Sequence, residues 1–254
     1  MPLRVCVAGV TGWTGSAVAE AVDAAPDLEL GAGVARSDPA SYSTVAEALD
    51  AAPVDVLVDY TSAAAVKENV LAAVDRRVAA VVGSSGLSTS DYEEIDERAR
   101  AQQVGVIAAG NFSITATLMK RFALMAAKYV PDVEVIDYAS ARKPDAPSGT
   151  ARELAEALAE IRQASTARPI AEVSGVPGTR GAAVGAGEGV QVHALRLPSY
   201  ILSCEALFGL PDERLTIRHD AGSSAAPYVA GTLLAIRRVQ EITGLVRGLD
   251  ALMD

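Results

Sequence analysis

The chain has 254 residues, 50% of them hydrophobic, and a formal net charge of −10. A disordered chain would carry fewer apolar residues, and no run reaches the ~18 uninterrupted apolar residues of a transmembrane helix. The acidic balance, 32 Asp and Glu against 22 Lys and Arg, excludes a global grip on nucleic acid, which needs a basic face, but leaves room for a local site for a small anion.

Short apolar runs alternate with alanine-rich helical stretches over the first 110 residues. Strands are predicted at Leu3–Ala8, Glu29–Ala35, Asp55–Asp59, Val78–Val82 and Gly105–Ala109. Helices are predicted at Ser16–Ala25, Thr44–Ala51, Ala63–Asp75 and Thr89–Gln102. Such alternation implies an α/β fold, a doubly wound parallel sheet with right-handed crossovers. After Asn111 the rhythm changes. A helix at Ile114–Tyr129 and a strand at Val133–Tyr138 lead through a polar stretch to a helix at Ala151–Arg162. Residues 164–190, rich in Gly, Pro, Ala and Ser, read as a loop. Three apolar runs, Val190–Leu195, Tyr200–Phe208 and Arg214–His219, read as neighbouring strands of a smaller α+β domain with an open mixed sheet. A helix at Tyr228–Thr243 closes the chain. Cys6 and Cys204 are too far apart in sequence for a metal motif or a disulfide framework, and no metal is expected. The start MPLRVCVAGVTG enters a strand directly, which predicts a cytoplasmic protein.

The turn Gly9-Val-Thr-Gly12-Trp-Thr-Gly15 lies between the first strand and the first helix. Glycines let the backbone turn tightly and approach a pyrophosphate, and the helix N-terminus supplies free N–H groups and positive dipole charge. The spacing is GxxGxxG rather than GxGxxG, and a tight turn without a ligand would use the same residues. Its place after an amino-terminal strand favours a dinucleotide held by Gly9, Thr11, Gly12, Trp13, Thr14 and Gly15. NAD-binding folds put an acid at the end of the second strand for the ribose hydroxyls. Here that end reads Gly33-Val-Ala35-Arg36-Ser37. Ala35 stands where the acid would be, and Arg36 with Ser37 could hold a 2′-phosphate. NADPH is the expected cofactor and NADH the alternative; a solvated surface arginine is the other reading of Arg36.

These residues, together with Val58-Asp-Tyr-Thr61, Val82-Gly-Ser-Ser-Gly-Leu87, Gly110-Asn-Phe-Ser113, Lys143-Pro-Asp-Ala-Pro-Ser-Gly-Thr150, His193-Ala-Leu-Arg196 and Leu215-Thr-Ile-Arg-His-Asp220, resemble the dihydrodipicolinate reductase family almost end to end. The carboxy-terminal half looks most like its actinobacterial branch. The resemblance implies a Rossmann-like dinucleotide-binding domain, residues 1–110 with 220–254, and a substrate-binding domain, residues 111–219, that assembles a homotetramer. It also implies hydride transfer from a nicotinamide cofactor to a small anionic substrate; run length and charge already speak against a membrane or nucleic-acid partner. By the same resemblance Gly83, Ser85, Asn111 and Phe112 lie beside the nicotinamide. A glycine-rich strand-to-helix turn and a packed hinge aromatic are the plain readings of those four. Lys143, Ser148, Gly149 and Thr150 are the substrate-anion candidates. Pro147-Ser-Gly-Thr150 precedes a helix whose N–H groups can receive a carboxylate, and Lys143 adds an ammonium. Thr150-Ala-Arg-Glu153 also reads as a capping box.

One departure bears on chemistry. The family carries two adjacent histidines where this chain has Ala139 and Ser140, and the first is thought to supply a proton during reduction. Gly110 replaces a family proline, and the stretch after His219 is also altered. His193 and His219 match family histidines and read as structural. Lys143, Tyr138 and Tyr200, in that order, are the remaining candidate proton donors. The leading expectation is therefore an NADPH-dependent reductase of a small cyclic imine or enamine acid, diverged from the family. The alternatives are a family reductase still serving lysine synthesis and a catalytically silent NADPH-binding protein.

Overall fold

Apolar runs too short for helices, separated by amphipathic stretches, become parallel strands in the amino-terminal half. The computed structural model describes residues 1–176 and 178–253. In chain order the elements are β1 (Leu3–Ala8), α1 (Trp13–Ala24), β2 (Leu28–Val34), α2 (Val45–Ala51), β3 (Val56–Asp59), α3 (Val66–Asp75), β4 (Ala79–Val82), α4 (Thr89–Gln102) and β5 (Gly105–Ala108). Every residue of β3, β4 and β5 is buried. This explains their continuous apolar runs, since a parallel sheet is covered by helices on both faces. Near the carboxyl end come α7 (Ala226–Arg238) and β11 (Gly244–Arg247), and the sheet order is β11-β5-β4-β3-β1-β2.

The final helix is thus shorter than expected. It ends at Arg238, a 3-10 turn covers Val239–Glu241, and β11 then pairs parallel to β5. The crossing is close: a Cβ on Gly105 would lie 2.1 Å from the Val239 carbonyl oxygen.

The chain divides into two compact units, Met1–Ile114 with Ser224–Asp254, and Thr115–Ser223. Elements of the second are α5 (Ile114–Ala127), which starts at the division, β6 (Asp132–Ala139), α6 (Gly149–Ile161), β7 (Ala182–Val184), β8 (Val190–Arg196), β9 (Leu202–Leu210) and β10 (Glu213–Ala221). Their sheet runs β10-β9-β6-β8-β7, parallel at β6–β8 and antiparallel at the other pairs. The stretch read as a loop therefore contributes β7 and a 3-10 turn at Ile170–Glu172.

Side chains alternate across this sheet. Val133, Val135, Val190, Val192, Cys204, Ala206 and Phe208 pack on Met119 and Ala123 of α5 and on Leu154 and Leu158 of α6. The register places Glu134, Ile136 and Tyr138 on the other face, with Ser203 and Glu205 of β9 and Arg218 and Asp220 of β10.

Candidate active site

In a doubly wound sheet the ligand crevice opens at the carboxyl ends of the strands, where the order reverses. Here that is between β1 and β3, which pair up to Ala8 and Asp59. The glycine turn occupies this point. Gly9 has φ +83°, and a Cβ there would lie 2.4 Å from the Tyr60 carbonyl oxygen. A Cβ on Gly15 would lie 2.0 Å from the Gly9 carbonyl oxygen, so side chains at either position would push strand, turn and helix apart. Gly12 caps α1 without a side-chain hydrogen bond. The first-turn N–H groups of Trp13, Thr14 and Gly15 therefore lack a side-chain cap, and with the helix dipole they suit an anion.

Beside this turn is a cavity of about 230 Å³ lined by Trp13, Thr14, Tyr60, Gly83, Asn111, Phe112 and Tyr228, among others. Four aromatic rings shape it. Tyr60 meets Phe112 edge-on at 6.2 Å, and Trp13 meets Tyr228 at 6.0 Å. Tyr60 occupies the room that Gly83 leaves, since a Cβ on Gly83 would lie 2.2 Å from its ring. The Tyr60 hydroxyl shares a hydrogen bond of 2.7 Å with Thr232 of α7, and burial raises its pKa. Aromatic rings interleaved with polar groups such as Thr14 and Asn111 fit a nicotinamide, a flat ring bearing an amide, and the uncapped helix start fits the pyrophosphate. Tyr60 and Tyr228 went unread in the sequence. Tyr60 sits inside a quoted motif but behind a more conspicuous acid, and Tyr228 is remote in the chain.

At the end of β2, Arg36 and Ser37 are exposed, and no acidic residue among the described residues pairs with Arg36. Ala35 donates its N–H to the Tyr42 carbonyl at 3.0 Å. Thr11 and Ser85 are exposed on their turns.

In the second unit the segment from Lys143 to Thr150 forms the turn into α6. Ser148, not Thr150, is the N-cap, and its Oγ accepts from the Ala151 N–H at 3.3 Å. The expected capping box is therefore displaced, and Thr150 lies within the first helical turn. Ser148 is buried and points inward. Its N–H and its hydroxyl both donate to the carboxylate of Asp137, each at 2.7 Å. Asp137, fully buried on the helix-facing side of β6, also receives Arg196 Nη2 at 2.7 Å. The same nitrogen donates to the Asp145 carbonyl at 2.9 Å, so Asp137 and Arg196 tie the turn to the sheet. As a consequence both donors of Ser148, its N–H and its hydroxyl, are taken by Asp137. Gly149 is exposed, with nothing within 4 Å of where a Cβ would sit. Lys143 pairs with Asp145 at 2.8 Å.

Two of the candidate proton donors lie elsewhere. Tyr138 is on the sheet face opposite Asp137, and its buried hydroxyl donates to Glu205 at 2.9 Å. Burial, then this bond, raise its pKa, and Arg218 lies 4.7 Å above its ring. Tyr200 packs on that ring at 4.9 Å. Strand alternation thus puts Tyr138 on the face opposite the turn that Asp137 holds, and Tyr200, in the loop between β8 and β9, packs with it. Ala139 is fully buried, whereas Ser140 is half-buried. His219 is buried against Thr115 Oγ1 at 3.2 Å, and His193 Nε2 lies 2.7 Å from Glu134.

Residues 3–112 match the family model for the N-terminus of dihydrodipicolinate reductase, and residues 115–253 match that for its C-terminus. The chain belongs to the dihydrodipicolinate reductase family. It is 37% identical over 253 residues to the 4-hydroxy-tetrahydrodipicolinate reductase of Mycolicibacterium smegmatis, covering 99% of each chain. It is also 37% identical over 264 residues to that of Lactobacillus acidophilus, covering 100% of this chain and 99% of the relative. A dipicolinate-bound dihydrodipicolinate reductase from Paenisporosarcina sp. TG-14 superposes with TM-score 0.88 at 31% identity, covering 99% of each chain. An amine dehydrogenase from Mycobacterium smegmatis, with TM-score 0.66 at 16% identity over 98% of this chain and 96% of the other, shares the fold. The protein is accordingly an NAD(P)H-dependent oxidoreductase whose amino-terminal unit is the Rossmann-like cofactor domain. Among the described residues no helix is long and apolar enough to cross a membrane.

Proposed function

We propose that the enzyme reduces the substrate of its named relatives, acting as a 4-hydroxy-tetrahydrodipicolinate reductase. End-to-end likeness to reductases of that name carries this reading. The bound cofactor supplies a hydride. This chain's residues position the partners: the uncapped start of α1 binds the pyrophosphate, and Arg36 with Ser37 binds a 2′-phosphate, favouring NADPH. The aromatic cavity shields the nicotinamide from water. The Gly149 and Thr150 N–H groups and Lys143 bind a substrate carboxylate, with Asp137 and Arg196 fixing the turn. Lys143, the ammonium carried on the same turn, serves as proton donor. Assembly is a homotetramer through the second unit.

One observation favours a second reading. Ala139 and Ser140 put no titratable group where the family's histidine pair stands, which suits a reductase diverged toward another cyclic imino acid. Proton transfer by a placed acid typically adds ~10²–10⁴-fold. The deciding experiment is NADPH oxidation with freshly generated 4-hydroxy-tetrahydrodipicolinate beside a panel of cyclic imino acids. Turnover of the former near ~10 s⁻¹, a typical enzyme rate, supports the first reading. Negligible turnover of it with brisk use of a panel member establishes the second. NADPH binding without turnover of any compound would make the chain a silent binder and overturn both.

A further inference from the structure

Asp59 is a buried acid that no cation among the described residues pairs with. It ends β3 at the mouth of the cofactor crevice and is fully buried. Its Oδ1 accepts from the Thr61 N–H at 3.1 Å, the Thr61 hydroxyl at 2.8 Å and the Ser84 hydroxyl at 2.6 Å. Its Oδ2 accepts from Asn69 Nδ2 at 2.8 Å. Asn69 also approaches Thr61 Oγ1 at 3.4 Å, which directs the Thr61 proton toward Asp59. Four donors converge on one carboxyl group, the environment of a carboxylate. No Lys, Arg or His among the described residues pairs with it. Burying a charge without a counter-ion is costly, and a strand end needs no acid to terminate.

Its neighbours say where that charge acts. Tyr60, the next residue, and Gly83, just before Ser84, both line the aromatic cavity. Asp59 therefore adjoins, through Tyr60 along the chain and through Ser84 by a hydrogen bond, two residues of the wall against which a nicotinamide ring would pack. When a hydride leaves that ring with two electrons, the ring is left with one positive charge, which the reduced ring lacks. A fixed anion in a low-dielectric wall favours the charged form and the charge developing toward it. We propose that Asp59 is a fixed anion beneath the nicotinamide, biasing the enzyme toward its oxidised cofactor and so toward hydride donation. The inference rests on the nicotinamide-cofactor reading and not on the identity of the substrate.

The test compares the two redox forms of the cofactor. Both carry the same pyrophosphate, which Asp59 repels equally in each, so the ratio of their dissociation constants isolates the ring charge. Calorimetry on the whole enzyme without substrate should show that Asp59→Asn shifts the NADPH-to-NADP⁺ preference about fivefold or more toward NADPH. Equal weakening of both forms would mean that Asp59 only ties Thr61 and Ser84 in place, and would overturn the proposal. Should the single variant not fold, Asp59→Asn with Asn69→Asp restores an amide facing a carboxylate but moves the charge to the half-exposed side of α3. The ratio should then shift part of the way; a wild-type ratio would overturn the proposal. Wild-type enzyme that binds neither form would overturn the cofactor reading and this role together, whereas binding of both with an unmoved ratio in Asp59→Asn defeats only the role of Asp59.

Discussion

Arg36 and His219 show how single side chains act through charge. Arg36 is exposed at the end of β2 with no acidic partner among the described residues, and the buried Ala35 before it offers no carboxylate to ribose hydroxyls. Loss of a charge-assisted hydrogen bond costs ~1.5–3 kcal/mol. Arg36→Ala should therefore weaken NADPH about tenfold or more while leaving NADH nearly unchanged, as read by calorimetry. Equal wild-type affinities for the two cofactors would remove the argument. His219 has the opposite economy. Burial lowers its pKa below the ordinary 6.5, so the folded protein holds the ring neutral where the unfolded chain would protonate it. The unfolded state binds more protons in that window. This contribution is fully present above about pH 6.5 and is lost as pH falls toward the lowered value. His219→Gln should flatten the fall in stability between about pH 7 and 5.5, a slope of at most ~1.4 kcal/mol per pH unit for one proton. Urea melts across that range test it; an unchanged slope would show that His219 is not the titrating group.

At the scale of elements, the turn into α6 decides whether a carboxylate is bound. Lys143→Ala should lower kcat/KM at least about tenfold and leave NADPH affinity unchanged, whereas Thr150→Val, which keeps its backbone N–H, should change kcat/KM little; an unchanged kcat/KM in Lys143→Ala would reduce the turn to a helix start. Strand β6 constrains any attempt to place histidines at 139 and 140. Ala139 faces the packed helix side with no exposed surface, whereas Ser140 is half-buried. Adding bulk to a filled core costs ~1–3 kcal/mol. Ala139→His should lower the melting temperature accordingly, while Ser140→His should change stability by ~0.5 kcal/mol or less. Comparable melts for the two variants would show that the core relaxes around Ala139. The same alternation explains what was legible in the sequence and what was not. Runs such as Val56–Asp59 and Val78–Val82 announce themselves because both faces are covered, and the glycine turn because close packing admits no Cβ. By contrast β7 and β11, of three and four residues, are too short for a period to register. Tyr138 is expected from sequence as a proton donor left in place of the histidines, and Ser148 as part of the anion-binding turn before a helix. One is turned away by strand alternation, and the other is consumed by Asp137, whose partner Arg196 arrives from a different strand.

The distribution of exposed apolar surface separates the two units. The first exposes the large apolar residues Met1, Trp13 and Tyr42, and Trp13 lines the cofactor cavity. In the second, Phe122 and Met125 of α5 and Tyr129 just beyond it form a stripe at helical spacing, and Leu197, Ile201, Leu210 and Leu215 lie on or beside β8, β9 and β10. Exposed apolar side chains grouped in this way mark interaction surfaces, and β10 is an edge strand whose outer ladder is open to another chain. A homotetramer through the second unit would cover both. Light scattering at low micromolar concentration should accordingly give four times the 26.1 kDa chain mass, and Leu215→Glu on β10 should shift that mass downward by burying an unpaired charge at the interface. The cofactor-domain variant Arg36→Ala should leave the mass unchanged. A monomeric mass for the wild type would refute the assembly, and an intact tetramer in Leu215→Glu would move the interface away from β10 to the stripe on α5.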